Sequence, residues 1–135
     1  DNELLIKPEH IKQKKLKKNA EDVLLKTNSH NIRNKEKYWK YNKGISLELA
    51  RWFRQTFHNL KILGLDSISV SSYQHRKIGR KVHKKFLKPN NPILLVEDMN
   101  LSKIDKYTKF KMIVIAPLII SKENGSPCTV FAEVG

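Results

Sequence analysis

Three short apolar runs constrain the fold of this chain more than any other feature. Val23-Leu24-Leu25 lies within the strand pattern Asp22–Lys26. Ile62-Leu63-Gly64-Leu65 and Ile93-Leu94-Leu95-Val96 are the other two. A few consecutive apolar residues bounded by polar or turn residues read as buried strands. The segments between them carry helical periodicity. Ser46 stands as an N-cap ahead of Leu49, Phe53, Phe57 and Leu60, predicting a helix from Leu47 to about His58. A second helix is predicted from about His75 to Leu87, with Ile78, Val82 and Phe86 on one stripe. Strands alternating with helices argue for an α/β domain. Met112–Ile120 and Thr129–Val134 read as two closing strands, with Asn124-Gly125 as a turn signal between them. Pro8 is expected to open a short surface helix through Ile11 and Leu16, and Asn28–Gly44 is read as a polar loop. The 135 residues are taken as a single domain, 1–135.

Charge is the loudest feature of the composition. The formal net charge is +14, with lysines and arginines concentrated in Lys7–Lys18 and Arg76–Lys88. A chain this basic attracts polyanions, which makes a nucleic-acid-binding module the alternative function to weigh. Against it, no recognised motif is present and no aromatics interleave with the lysines. The second cluster, moreover, is accounted for as the solvated back of an amphipathic helix. Nucleic acid is therefore not the expected partner. The longest apolar run, Met112–Ile120, contains Pro117 and is too short to cross a membrane, so no membrane association is expected. Asp1-Asn2-Glu3 is not a secretory signal pattern, and with no initiator methionine the expectation is that residues precede Asp1. The lone Cys128 excludes an intrachain disulfide, which is compatible with a reducing, cytoplasmic compartment.

Two residues stand out chemically. His83 falls at the edge of the apolar stripe of its helix, and Glu97 ends the Ile93–Val96 strand. A carboxylate at the end of a buried strand is costly unless it is paired, protonated or bound to a metal. Ligand sites of open α/β sheets also gather at the carboxyl ends of strands. Imidazole and carboxylate are standard ligands for zinc and similar ions, although a catalytic zinc takes about three protein ligands. A satisfied core histidine is the competing reading of His83. Asp66 ends the Ile62–Leu65 strand, either as a cap for the following turn or as the partner of a metal ligand. Tyr38 and Trp39, with Tyr41, either line a pocket for an aromatic substrate or cover the edge of the core. His75 is a candidate general base or a solvated helix-start residue. Ser69, Ser71 and Ser72 have no nucleophile-elbow context.

These residues also stand in an order that resembles the C-terminal half of the cyclase family, which includes bacterial kynurenine formamidase. Gly44-Ile45-Ser46 is similar to that family's helix start. Leu63-Gly64-Leu65-Asp66-Ser67-Ile68-Ser69 is similar to its Gly-Ile-Asp-x-x-Ser strand and turn. His83, Phe86-Leu87 and Pro92–Met99 resemble its His…Leu-Leu…Ile-x-x-Glu-Asn-Leu passage. Ala116–Ile120 and Gly125-Ser126-Pro127-Cys128 resemble its closing motif, and Pro8–Thr27 its helix and threonine-ended strand.

The resemblance implies a swivelling β/β/α fold and a divalent metal, zinc with manganese as the alternative. It implies hydrolysis of amide or formyl-amide bonds in a small-molecule substrate, N-formylkynurenine of tryptophan catabolism being the best-known one. His83 and Glu97 would be metal ligands, and the family's homo-oligomeric habit would carry over. The remaining ligands of the family sit in an N-terminal His-x-Gly-Thr-His-x-Asp-x-Pro motif. None of His10, His30, His58, His75 and His83 stands in such a context here. The fold is thus expected to be incomplete without an N-terminal segment. That segment has been removed, lies on a partner chain, or is absent from a catalytically inactive relative.

Overall fold

A computed structural model describes residues 4–12, 14 and 16–135. The chain divides into two compact units, the first running to Ser102 and the second spanning Lys103–Gly135.

The first unit mixes strand and helix in the expected order. Its centre is a three-stranded parallel sheet of β2 (Asp22–Leu25), β4 (Ile62–Leu65) and β5 (Leu94–Val96), with β4 in the middle. The register pairs Val23 with Leu63 and Leu63 with Leu95. The second two strands run parallel because α3 (Arg76–Phe86) carries the chain back between them, as a parallel pair requires. The helix α2 (Leu47–Thr56) lies between β2 and β4 in sequence, and it starts where Ser46 Oγ accepts the Leu49 N–H at 3.1 Å. Phe53 of α2 makes tilted ring contacts with Phe57, which caps the same helix, and with Phe86 of α3. The α3 stripe buries Val82 and Phe86 completely, each stabilising by about 1.5–3 kcal/mol relative to exposure. At the far end of α3, Arg54 donates to the carbonyls of Lys85 and Phe86, satisfying acceptors that the helix itself leaves over.

Several expectations change. Among the described residues, the helix expected from Pro8 through Leu16 is a single 3-10 turn, Pro8–His10; Gln13 and Lys15 of that stretch lie outside the described residues. One lysine after another leaves no apolar face to hold a longer helix. The loop read over Asn28–Gly44 holds a 3-10 turn at Ser29–Ile32 and a helix α1 at Lys37–Lys40. It closes on β3 (Gly44–Ile45), which pairs in parallel with β1 (Leu5–Ile6), a strand that its two residues were too few to announce. In the fold, β4 is central and Leu63 and Leu65 are fully buried, while the edge strand β5 leaves Leu94 exposed.

The second unit is an antiparallel hairpin of β6 (Phe110–Pro117) and β7 (Cys128–Val134). The turn is not made by a glycine. Among the described residues no glycine has positive φ, and the left-handed residue of the 118–127 connection is Lys122.

Candidate functional site

The carboxyl ends of β4 and β5 each carry an acidic residue into its own polar cluster. Glu97 follows β5, and its Oε1 accepts from Val70 N–H at 2.8 Å and from Ser69 Oγ at 3.0 Å. Both donors belong to the segment that links β4 to α3, so the carboxylate is gripped by the crossover itself. The side chain is 28% exposed, leaving the site partly open. Burial works to raise the Glu97 pKa, but the facing imidazole and the Val70 and Ser69 donors outweigh it and hold the carboxyl below its ordinary value.

His83 comes from α3, one turn beyond Gly79. Its Nδ1 lies 3.0 Å from the Gly79 carbonyl and 3.2 Å from Ser71 Oγ. A carbonyl can only accept, so Nδ1 carries the hydrogen and the neutral ring presents the Nε2 lone pair. That nitrogen faces Glu97 Oε1 at 3.6 Å, beyond hydrogen-bond range. The Glu97 carboxylate raises the His83 pKa, burial opposes it, and the Gly79 carbonyl adds to the rise. In the neutral ring two acceptors point at one another, and either a proton on Nε2 or a bound cation between them relieves the repulsion. Gly79 makes this packing possible, since a Cβ there would fall on the Ser71 side chain.

Asp66 follows β4 into a separate cluster. It is completely buried, accepting from Thr27 N–H and Thr27 Oγ1 at 2.7 Å each and facing His30 Nδ1 at 2.9 Å. Burial pushes its pKa up, but the Thr27 and His30 contacts more than cancel that and leave it below the usual carboxylate value. Neither His83 nor Glu97 is among its partners. Asp66 thus ties the end of β4 to the end of β2.

Tyr38 is buried, with its hydroxyl on the Asp98 carboxylate and 3.5 Å from the Asp66 carbonyl. Arg33 grips Asp98 with both Nε and a terminal nitrogen, and Asp98 itself sits at φ 58°, a left-handed conformation held by these contacts and by its N–H bond to Ser67 O. Burial raises the Tyr38 pKa, as does the neighbouring Asp98 charge. Trp39 is exposed and meets Tyr73 edge to face. His75 is half-buried at the N-cap of α3.

The fold therefore brings His83, Glu97 and Ser69 together, puts Asp66 with Thr27 and His30, sets Trp39 against Tyr73, and places His75 at the start of α3. Ser71 was weighed from sequence only as a nucleophile, and neither the Gly79 carbonyl nor the Val70 N–H was given a role there. Gly79 was legible in principle, because a carbonyl four residues before a helical histidine lies within reach of its ring. Among the described residues no group of three or more histidines, cysteines or acidic residues converges on one point. No protein-family model, curated protein or solved structure matches this chain.

Proposed function

We propose that His83 and Glu97 are two ligands of a divalent-metal site, and that the chain is the C-terminal part of a cyclase-like hydrolase of amide or formyl-amide bonds. The observation that supports the reading is His83 Nε2 facing Glu97 Oε1 at 3.6 Å, with the ring held through Nδ1 on the Gly79 carbonyl and the carboxylate held by Val70 N–H and Ser69 Oγ on that same Oε1. Two ligands at about 2.0–2.1 Å from a tetrahedral zinc stand roughly 3.3 Å apart, close to what is found here. The Nδ1–H of His83 on a backbone carbonyl is the usual way a metal-binding imidazole is aimed.

When bound, the metal would lower the pKa of a coordinated water and polarise the substrate carbonyl. The chain's own contributions are positional. Gly79 O and Ser71 fix the ring, Ser69 and Val70 N–H fix the carboxylate, and both clusters sit at the carboxyl ends of parallel strands, where open α/β sheets keep their ligands. A catalytic metal needs about three protein ligands, so an N-terminal segment or a partner chain would complete the site. The swivelling β/β/α arrangement and a homo-oligomeric assembly belong to the same proposal.

The test is metal content of the full-length gene product by elemental analysis. His83→Ala and Glu97→Ala should each lower the metal stoichiometry while the protein remains folded. Unchanged stoichiometry in both variants would refute the assignment. For the nucleic-acid reading, the exposed Lys77, Arg80, Lys81 and Lys84 are accounted for as the solvated face of α3.

A further inference from the structure

A cavity of about 660 Å³ opens beside β1 and the end of β2, and it shares no lining residue with the Glu97 cluster. Its volume falls in the range of roughly 300–1,000 Å³ typical of small-molecule sites. The apolar part of the wall is Leu5, Ile6, Ile11 and Leu25, of which Leu5, Ile6 and Leu25 are buried core residues. The polar part has one chemical character. Lys7, Lys14, Lys26 and Lys43 line it together with His10, and among the described residues no carboxylate does.

The hydrogen bonds sharpen that character. His10 Nδ1 accepts the Lys7 N–H at 3.0 Å, so in the neutral ring Nε2 carries the hydrogen and is a donor. The Thr27 hydroxyl, also on this wall, is engaged with Asp66 and Ser29. Lys26 Nζ donates to the Ser102 carbonyl at 3.3 Å, and the other polar side chains of the wall, Lys7, Lys14, Lys43 and His10, are donors, most of them cations. Lysine stems cover apolar surface while the ammonium heads stay wet, which suits a rim around an apolar floor. A neutral or cationic ligand would leave that rim unanswered.

We propose that this cavity binds a small anion with a compact apolar body, such as an aryl carboxylate, its ring on Leu5, Ile6 and Leu25 and its charged head among Lys7, Lys43 and His10. The site is independent of the metal reading, and its failure leaves that reading untouched.

The test uses the full chain with 1-naphthoate as probe, followed by amide NMR and calorimetry. 1-Naphthylmethylamine serves as the cationic control and inorganic phosphate as the head alone. Naphthoate should bind saturably and shift the amides of residues 5–11, 25–27 and 43, with weaker binding by both controls. Lys7→Glu and Lys43→Glu should each weaken naphthoate about fivefold or more. If Lys7→Glu unfolds β1, the exposed Lys43→Glu decides alone, its folding checked by an unchanged amide spectrum elsewhere. Absence of saturation, equal binding of the cation or of phosphate, shifts confined to the α3 lysines, or an unchanged affinity in Lys43→Glu would each overturn the proposal.

Discussion

Replacing Glu97 by glutamine separates the charge of this carboxylate from its shape. The glutamine Oε1 still accepts from Val70 N–H and Ser69 Oγ, so the crossover between β4 and α3 keeps its anchor. What is lost is charge. A hydrogen bond to a charged acceptor contributes about 1.5–3 kcal/mol and a neutral one about 0.5–1.5, so two such bonds lose roughly 2–3 kcal/mol. Partial exposure of the side chain lowers this toward about 1 kcal/mol. At about 4 °C per kcal/mol, the metal-free melting temperature should fall by some 4–8 °C. Two further readouts then isolate function from stability. The His83 ring, titrated by NMR in chelator, should lose its raised pKa, because the facing carboxylate is the main cause of the rise. In the full-length gene product, saturating zinc at about 100 times its dissociation constant should add roughly 2.7 kcal/mol to the parent protein and little to the variant. A glutamine variant with an unchanged His83 pKa would show that the two groups do not interact as described. One with an unchanged zinc-dependent melting shift would place the metal elsewhere.

Gly79→Ala should cost about 1–3 kcal/mol by overpacking against Ser71, read as a lower melting temperature, and Ser71→Ala in the same chain should restore only a minor part of it, because the Ser71 Cβ and Cα stay within 3 Å of the added methyl. The Asp66 carboxyl is held below its usual value, so its stabilisation is present above pH 3.8 and is lost as pH falls through the lower folded value. His30→Ala weakens that depression and should move acid unfolding to higher pH, followed by circular dichroism. The His83 pKa is raised, so without metal its contribution is complete below pH 6.5 and is lost as pH rises through the raised value. His83→Ala should therefore flatten the decline of metal-free stability above pH 6.5, and an unchanged slope in denaturant titrations would contradict the pairing.

Much of the first unit was legible because its signals are local. Ser46 as N-cap, the Ile62–Leu65 strand, and Val82 with Phe86 on one helix stripe all follow from period and capping, which depend on neighbours in sequence. The shorter elements were not legible. Two residues such as Leu5-Ile6 or Gly44-Ile45 carry no period, and only their pairing with each other makes them strands. The extended helix expected after Pro8 fails for the converse reason: lysines with good helix propensity do not sustain a helix that has no apolar face to bury.

At the site, the residue types and strand-end positions of Glu97 and Asp66 were set by the sequence, as was the helix edge that carries His83. What only the tertiary structure decided is who meets whom. Two acidic residues end adjacent parallel strands, yet the crossover into α3 turns Val70 and Ser69 onto Glu97, while the segment after β2 brings Thr27 and His30 onto Asp66. The same holds for the lysines, whose total charge composition gives at once. Their gathering around one apolar cavity depends on β1, β2 and the Lys43 turn, distant in sequence, being brought together by burial of Leu5, Ile6 and Leu25. Charge is a property of the chain, whereas a binding wall is a property of packing, because it requires groups with no sequence neighbourhood to share one surface.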